Sequence, residues 1–265
     1  MKFSGLVLCS DLDGTLIDEK NRVSRENLDA IEYFRSQGGK FMIATGRVPD
    51  AVTPAIGDLK TDYPCICHNG CSVYDFLSDK YIETISIDEK VIPVVEKIMK
   101  VNPSSGIEVM TAQGIYVVKR TERTDFHLEF EKIKAFYAEN IEDVPKPWLK
   151  ILFAQTPEET DVIKENFVNS PYQEKYCLLK THQFYYEILN KTASKGNALL
   201  KFCNHCGIDL KNVIAIGDNE NDISMIDVAG IGAAVANASD LVKEHADIIT
   251  CSNEESAIAD LISKL

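Results

Sequence analysis

Near its start the chain carries the stretch that decides its fold, Leu6-Val7-Leu8-Cys9-Ser10-Asp11-Leu12-Asp13-Gly14-Thr15-Leu16. Its apolar half predicts a buried strand over residues 3–10, and the strand delivers two carboxylates, Asp11 and Asp13, into a Gly-Thr turn. Side chains at positions i and i+2 of a strand point to the same side. The two acids should therefore repel each other unless a bound cation or a shared proton offsets their charge, or a bend in the chain moves them apart.

After this strand the sequence alternates between helix and strand patterns. A helix is predicted over 24–38, a strand over 40–44, a helix from Pro49 to about Leu59 and a third strand over 64–67. Short connections between alternating elements are typical of a parallel, doubly wound sheet. The alternation returns at Ser194 and predicts helices over 194–206, from 221, from 239 and at the C-terminus, and strands over 213–216, 230–235 and 247–249.

The intervening residues, about 80 to 188, have a different pattern. Their strand-like runs come in adjacent pairs, which is typical of hairpins in an α+β sheet. The predicted strands are 81–85, 106–110, 115–118, 148–154, 175–180 and 183–188, and the predicted helices are 89–100, 125–138 and 157–168. We therefore predict an α/β, Rossmann-like core formed by residues 1–80 and 188–265, with an α+β domain inserted over 81–187.

Composition narrows the possible functions. The 265 residues are 45% hydrophobic and 26% charged, and no apolar run approaches the ~20 residues that a bilayer crossing requires. The N-terminus lacks the pattern of a signal peptide, so we expect a cytoplasmic protein. A net charge of −13 with dispersed basic residues disfavours nucleic acid as a partner, although a small anion can bind where a metal supplies positive charge. We expect a monomer or a weak homo-oligomer.

The cysteines do not predict a metal or redox site. Two clusters lack the paired spacing of a zinc module. They are Cys65-Ile66-Cys67-His68 with Cys71, and Cys203-Asn204-His205-Cys206. We interpret them as small buried hydrophobic residues in a reducing compartment.

Polar clusters follow four of the predicted strands. They are Asp11 with Asp13, Thr45-Gly46-Arg47, Asn69-Gly70, and Gly217-Asp218-Asn219-Glu220-Asn221-Asp222. Ligands of an open parallel sheet gather at the carboxyl ends of its strands. Convergence of all four clusters at one edge would thus build a binding site.

The acids in these clusters require a cation. Asp11, Asp13, Asp218 and Asp222 would concentrate negative charge at one edge, and hard oxygen ligands with open positions favour Mg²⁺. An EF-hand is excluded because its glycine position is not matched, and no Walker loop occurs. Thr45, which precedes a helix, suits a phosphate oxygen.

Together these residues resemble the four motifs of the haloacid dehalogenase superfamily. Asp11-Leu12-Asp13-Gly14-Thr15-Leu16, Ala44-Thr45-Gly46-Arg47, Ser194-Lys195-Gly196 and the 217–222 run stand in the order of those motifs, and the chain is similar to the Cof-type sugar-phosphatase branch. An α+β insertion between the second and third motifs resembles the type 2B cap, which implies a role in substrate specificity. One departure is Val235-Ala236-Asn237-Ala238, where similar proteins have glycine in second place.

The resemblance implies a Mg²⁺-dependent phosphatase. Asp11 would attack the phosphorus atom and form an aspartyl-phosphate, while Asp13 would protonate the leaving alcohol and then deprotonate water. The metal would be bound by the Asp11 side chain, the Asp13 backbone carbonyl and Asp218, with Asp222 and Asn221 orienting metal waters or the phosphate.

The same resemblance assigns the phosphate contacts. Thr45 and Lys195 would hold phosphoryl oxygens, and Gly46, Arg47 and Asn69 are predicted on the substrate side. Arg47 could equally form a structural salt bridge.

Two alternatives remain open at this point. A phosphohexomutase could share this core and cap, although the arginine-asparagine-glycine-methionine cap signature is absent, and a non-catalytic phosphate- or Mg²⁺-binding protein is the other. Small sugar phosphates are the first expectation for the substrate, with pyridoxal phosphate or nucleotides possible.

Overall fold

The fold was obtained as a computed structural model that describes residues 1–156, 160–168 and 170–265. The chain divides into two compact units. The core unit comprises Met1–Glu83 and Ser194–Leu265, and the inserted unit comprises Thr84–Ala193. In the described part of the chain, no helix combines the length and the apolar composition that a membrane crossing needs.

The strands of the described residues are β1 (Val7–Ser10), β2 (Lys40–Ile43), β3 (Cys65–Cys67), β4 (Ser72–Asp75), β5 (Lys80–Thr84), β6 (Gly106–Thr111), β7 (Gly114–Lys119), β8 (Ala135–Tyr137), β9 (Trp148–Ala154), β10 (Tyr176–His182), β11 (Tyr185–Asn190), β12 (Val213–Gly217), β13 (Ile231–Ala234) and β14 (Ile248–Ile249). The α-helices are α1 (Arg25–Ser36), α2 (Pro49–Ile56), α3 (Ile92–Val101), α4 (Glu122–Glu131), α5 (Thr160–Val168), α6 (Lys195–Cys206), α7 (Glu220–Val228), α8 (Asp240–His245) and α9 (Ala257–Lys264). The start of the predicted helix over 157–168 lies outside the described residues.

The core unit is built on a parallel sheet, which confirms the predicted α/β, Rossmann-like fold. Within the described residues the strand order is β14-β13-β12-β1-β2, and every pairing is parallel. β1 lies between β12 and β2, with Val7 opposite both Val213 and Lys40. The carboxyl ends of β1 and β12, which are followed by Asp11 and Asp218, are therefore neighbours.

Both faces of this sheet are covered, as a doubly wound fold requires. Alternate residues of a strand point to opposite faces, so Leu8 packs with Phe34 of α1 and Leu261 of α9, whereas Cys9 packs with Leu199 of α6. Ser24 caps α1 by accepting a hydrogen bond from the backbone N–H of Asn27 at 3.2 Å, in agreement with the predicted start of that helix.

The third predicted strand, 64–67, is present as β3, but it belongs to a second, small sheet and not to the five-stranded parallel sheet. β3 pairs antiparallel with β4, with Cys65 opposite Tyr74, in a small β3-β4-β5 sheet. Its link to β2 is one parallel bridge between Ala44 and Ile66, because the chain beyond Ala44 turns into the Thr45-Gly46-Arg47 loop. The strand predicted over 81–85 is β5, and all but its last residue belongs to the core unit.

The cysteines of the two clusters are unbridged, and all of them are buried except Cys206, whose exposure contradicts the prediction at that position. Cys9, Cys65, Cys67, Cys71 and Cys203 are buried free thiols. Burial raises the pKa of Cys65 and of Cys203 to about 11, so these groups remain protonated thiols near neutral pH.

In the inserted unit the described strands form a mixed sheet in the order β10-β11-β9-β6-β7-β8. Neighbouring strands pair antiparallel except β7 and β8, which are parallel. Val109, Ile151 and Ile188 pack on one face with apolar residues of α3 and α5. The helix predicted over 125–138 is wrong beyond residue 131, because Lys132 adopts a left-handed conformation that ends α4 and β8 follows.

The unit boundaries also differ from the predicted 81–187. They fall after Glu83 and after Ala193, since β5 pairs in the core unit's small sheet and β11 continues to Asn190.

A buried ion cluster joins α4 to the sheet of the inserted unit. His127 Nδ1 lies 2.7 Å from Glu108 Oε2, and its Nε2 lies 3.5 Å from Glu131 Oε1. Burial alone would lower the pKa of His127, but the two carboxylates raise it to about 10. The imidazole is therefore a cation near neutral pH, and it offsets the charge of the fully buried Glu108.

We expect His127 to make the stability of the inserted unit depend on pH. Because its pKa is higher in the folded state than the ordinary 6.5, its stabilisation is complete below pH 6.5 and is lost as the pH rises toward 10. The difference in unfolding free energy between the wild-type protein and His127→Gln should therefore shrink across this range, by at most about 1.4 kcal/mol per pH unit.

Urea unfolding followed by the fluorescence of Trp148 measures this difference. Trp148 is the one tryptophan of the sequence and is buried in the inserted unit. The matched control is His245→Gln, which removes a half-exposed partner of Asp227 in the core unit. A difference that stays constant from pH 6 to pH 10 would contradict the assigned role of His127.

Candidate active site

The site lies at the carboxyl edge of the parallel sheet. Asp11 directly follows β1, and its backbone N–H donates to the carbonyl of Ile216 in β12 at 2.9 Å. Asp218 directly follows β12, and Thr45 lies two residues beyond β2. The parallel register thus brings the first, second and fourth polar clusters to one edge.

Lys195 links two of the acids. Its Nζ lies 2.5 Å from Asp11 Oδ1 and 2.6 Å from Asp222 Oδ1, and the three side chains are almost completely buried. Burial alone would lower the pKa of Lys195, but the two adjacent carboxylates raise it above its ordinary value. Lys195 is therefore held as a cation next to the predicted nucleophile.

Close packing of two helices places Lys195. A Cβ atom added at Gly196 would lie 2.0 Å from the backbone carbonyl oxygen of Ser224 in α7. The absence of a side chain at this position lets the first turn of α6 approach α7, which carries Asp222. The backbone N–H of Gly196 donates to Ser224 Oγ at 3.0 Å, which fixes this approach.

Both carboxylate oxygens of Asp222 are already engaged. Oδ1 accepts from Lys195, and Oδ2 accepts from the backbone N–H groups of Asp218 at 3.0 Å and Asn219 at 3.1 Å. Asp222 therefore holds Lys195 and shapes the loop that carries Asp218. This geometry favours an indirect role for Asp222 at a metal over direct ligation.

Asp11 and Asp218 fit a divalent cation. Asp11, Asp218 and Asp222 each offer a carboxylate oxygen within 4.8 Å of the others. Burial and the charge of Asp222 raise the pKa of Asp218 to about 7 and the pKa of Asp11 well above its usual range. Lys195 compensates only part of the negative charge of these three carboxylates, and a hard cation with oxygen ligands would relieve the remainder.

The turn formed by Gly14 and Thr15 contacts the side chain of Asp218. Gly14 has a φ of +72°, and a Cβ atom there would lie 2.6 Å from Asp218 Oδ2, so glycine is required on both counts. Thr15 Oγ1 donates to Asp218 Oδ1 at 3.3 Å. The turn that follows β1 is therefore shaped around the acid that follows β12.

Asp13 lies apart from the carboxylate cluster and binds Arg47. Arg47 Nη2 donates to Asp13 Oδ1 at 2.6 Å, and Arg47 Nε donates to Asp13 Oδ2 at 2.9 Å. The Asp13 side chain is 46% exposed and that of Arg47 is 3% exposed. The salt-bridge alternative for Arg47 is therefore observed, with the predicted proton-transfer group as its partner. Metal ligation by the Asp13 backbone carbonyl remains a prediction.

The remaining predicted residues, Gly46, Asn69 and Asn221, lie in contact with one another near Thr45. Thr45 is buried and its Oγ1 accepts from the backbone N–H of Arg47 at 3.1 Å. A Cβ atom at Gly46 would meet Asn69 Oδ1 at 3.0 Å, and that oxygen accepts from Asn221 Nδ2 at 3.0 Å. Asn221 Oδ1 is buried with no hydrogen-bond partner among the described residues.

The sequence did not indicate two residues that contact the site. Asn237 Nδ2 donates to the carbonyl of Gly14 at 2.8 Å, and Asn21 Oδ1 accepts from Arg47 Nη2 at 2.6 Å. Asn237 lies in the run noted for its departure from similar proteins, which was a usable signal. Asn21 is in an ordinary polar turn, and nothing in its sequence context pointed to Arg47.

Comparisons with known proteins identify relatives along almost the entire chain. A family model described as haloacid dehalogenase-like hydrolase matches residues 8–262. The chain is 30% identical over 269 residues to the pyridoxal phosphate phosphatase YbhA of Escherichia coli, and the alignment covers 97% of each protein.

Another relative and a solved structure extend this comparison. The chain is 28% identical over 279 residues to the 5-amino-6-(5-phospho-D-ribitylamino)uracil phosphatase YwtE of Bacillus subtilis, with 96% of each protein covered. The structure of the HAD subclass IIB sugar phosphatase BT4131 matches with a TM-score of 0.81 at 22% identity, covering 98% of both chains. At that identity the likeness concerns the fold.

Proposed function

Because the chain belongs to the haloacid dehalogenase-like hydrolase family, as a Cof-type phosphatase, we propose that it hydrolyses small phosphate monoesters with Mg²⁺ through an aspartyl-phosphate on Asp11. The observation that carries this proposal is the contact between Lys195 Nζ and Asp11 within a cluster of three carboxylates. A cation at hydrogen-bond distance aims one oxygen of Asp11 and stabilises the charge that develops on a phosphoryl group.

In the first step an Asp11 oxygen attacks the phosphorus atom, and the bond from phosphorus to the ester oxygen breaks. Asp13 enters this step protonated, so one of its two oxygens gives up its hydrogen bond from Arg47 and donates the proton to the departing alkoxide, and the alcohol leaves neutral. Asp13 then takes a proton from water, whose oxygen attacks the phosphorus atom and releases phosphate and the original Asp11 carboxylate.

Thr45 and Lys195 bind the transferring group in this scheme. Thr45 Oγ1 accepts from Arg47, and its own proton remains for a phosphoryl oxygen. Lys195 can donate a third hydrogen bond besides those to Asp11 and Asp222. When bound, Mg²⁺ supplies Lewis-acid polarisation of the phosphoryl group, and Asp11 and Asp218 would hold it.

The proposal also concerns the alcohol that leaves from the phosphate ester. We assign its recognition to the inserted unit, with sugar phosphates as the first class to test. Two relatives are named for a pyridoxal phosphate and for a ribitylamino-uracil phosphate, so a cyclic or polyhydroxylated leaving group of small size is the favoured class. A cytoplasmic location remains a prediction.

A phosphate-release screen tests the proposal. We expect Mg²⁺-dependent release of inorganic phosphate from p-nitrophenyl phosphate and from members of a panel of sugar, nucleotide and pyridoxal phosphates. EDTA should reduce release to background, and added Mg²⁺ should restore it. A requirement for a bisphosphate activator, with total organic phosphate conserved, would instead identify a mutase, and Mg²⁺ binding without turnover would identify a binding protein.

A further inference from the structure

We propose that Asn21 is a positioning residue for proton transfer by Asp13 and that it acts through Arg47. The inference rests on the proposed phosphatase function and adds a residue to it. Asn21 touches neither of the paired acids. Its contribution is to fix the guanidinium group that orients one of them.

The guanidinium of Arg47 is held from three directions. Nη2 donates both to Asp13 Oδ1 and to Asn21 Oδ1, each at 2.6 Å. Nε donates to Asp13 Oδ2 at 2.9 Å, and Nη1 donates to the carbonyl of Ala51 in α2 at 3.2 Å. Ala51 and Asn21 thus accept hydrogen bonds from the two terminal nitrogens of the guanidinium, while the Asp13 carboxylate accepts a bidentate pair of hydrogen bonds from Nε and Nη2.

Asn21 lies in a turn with several backbone and side-chain hydrogen bonds, which presents it to Arg47. The backbone N–H of Asn21 donates to the carbonyl of Asp18 at 2.9 Å, and Asp18 Oδ1 accepts from the backbone N–H groups of Lys20 and Arg22. Asn21 itself has a φ of +60°, a left-handed conformation that asparagine tolerates better than most residues. A bridge between Ile17 and Val23 closes the base of the turn.

This arrangement matters because the Asp13 carboxylate is otherwise weakly held. Its side chain is 46% exposed, and its hydrogen bonds in the described structure are those from Arg47. If Asn21 Oδ1 is removed, Nη2 loses one of its two acceptors at 2.6 Å, and the nitrogen that binds Asp13 Oδ1 is held less tightly on that side. Small displacements of a proton-transfer group reduce the rate steeply because the donor must lie within hydrogen-bond distance of the leaving oxygen.

Two substrates with different leaving groups separate this role from a structural one. p-Nitrophenolate leaves without proton donation, whereas the alkoxide of glycerol 2-phosphate requires it. For Asn21→Gly, which keeps the backbone conformation, we expect kcat/KM for glycerol 2-phosphate to fall about tenfold. For p-nitrophenyl phosphate we expect kcat/KM to fall less than about twofold.

Matched variants complete the test. Asn21→Asp retains an acceptor and tolerates the left-handed conformation, so it should keep the wild-type ratio of the two kcat/KM values. Lys20→Ala changes an exposed side chain of the same turn and should also keep that ratio. Equal losses on both substrates, or no loss in Asn21→Gly, would overturn the role of Asn21 alone. A wild-type chain that releases phosphate from neither substrate would overturn the proposed function and, with it, this inference.

Discussion

Asp11→Asn lowers the kcat/KM for phosphate release by at least about 10³-fold, because an amide oxygen cannot replace a carboxylate as the attacking nucleophile. The substitution keeps the shape of the side chain, and Lys195 keeps its contact with Asp222. It also removes one of several negative charges whose mutual repulsion and burial raise the pKa of Asp11. We therefore expect the melting temperature to be preserved or increased.

Initial rates with p-nitrophenyl phosphate and a thermal melt of the same sample measure both effects. The matched control is Asp29→Asn, since Asp29 is 61% exposed and pairs only with Arg25 across one turn of α1 in the described structure. That variant should keep its activity. Turnover of Asp11→Asn near the wild-type rate would remove Asp11 as the nucleophile.

Lys195→Met damages both stability and activity. It leaves Asp11 and Asp222 buried without the cation that lies 2.5 and 2.6 Å from them. Removal of one partner from a buried ion cluster costs about 3–5 kcal/mol, which corresponds to a fall of about 10 °C in melting temperature. Loss of the charge that stabilises the phosphoryl group should lower kcat/KM by at least about 10²-fold.

A control on the same helix separates the loss of a buried charge from the loss of any lysine. Lys201 in α6 is 49% exposed and pairs with Glu83 at 3.0 Å, so Lys201→Met should cost less than about 1 kcal/mol and leave activity unchanged. The two variants are compared by thermal unfolding and by phosphate release. Equal destabilisation of both would contradict the electrostatic role assigned to Lys195.

The sequence was sufficient for the parts of the fold that rest on local patterns. β1 and β12 are short apolar runs that end in acids, and the parallel register places Asp11 beside the residues that follow β12. Lys195 was assigned through the resemblance of Ser194-Lys195-Gly196 to a family motif, and its place at the start of a helix agrees with that assignment. Its burial between two acids required the structure, since that depends on the approach of α6 to α7 at Gly196.

Tertiary pairing decided the points at which the structure differs from the expectations. β3 keeps one parallel bridge, between Ala44 and Ile66, but most of its pairing is with β4. Hydrophobic periodicity cannot distinguish these two partners. The end of α4 depends on the left-handed conformation of Lys132. A lysine in the sequence does not predict that conformation, because glycine and asparagine are the residues that usually adopt it. The Arg47 contact with Asp13 joins residues 34 positions apart, so spacing alone left it undecided.

The central place of β1 also limits the order in which the parallel sheet can assemble during synthesis. Its two neighbours in the sheet are β2, made soon afterwards, and β12, whose Val213 pairs with Val7 roughly two hundred residues later. Until then the edge of β1 that later pairs with β12 has unsatisfied backbone groups, and such an unpaired edge is prone to pair with the wrong strand. The candidate active site therefore cannot be completed until β12 and α7 have been synthesised, roughly two hundred residues after the proposed nucleophile Asp11.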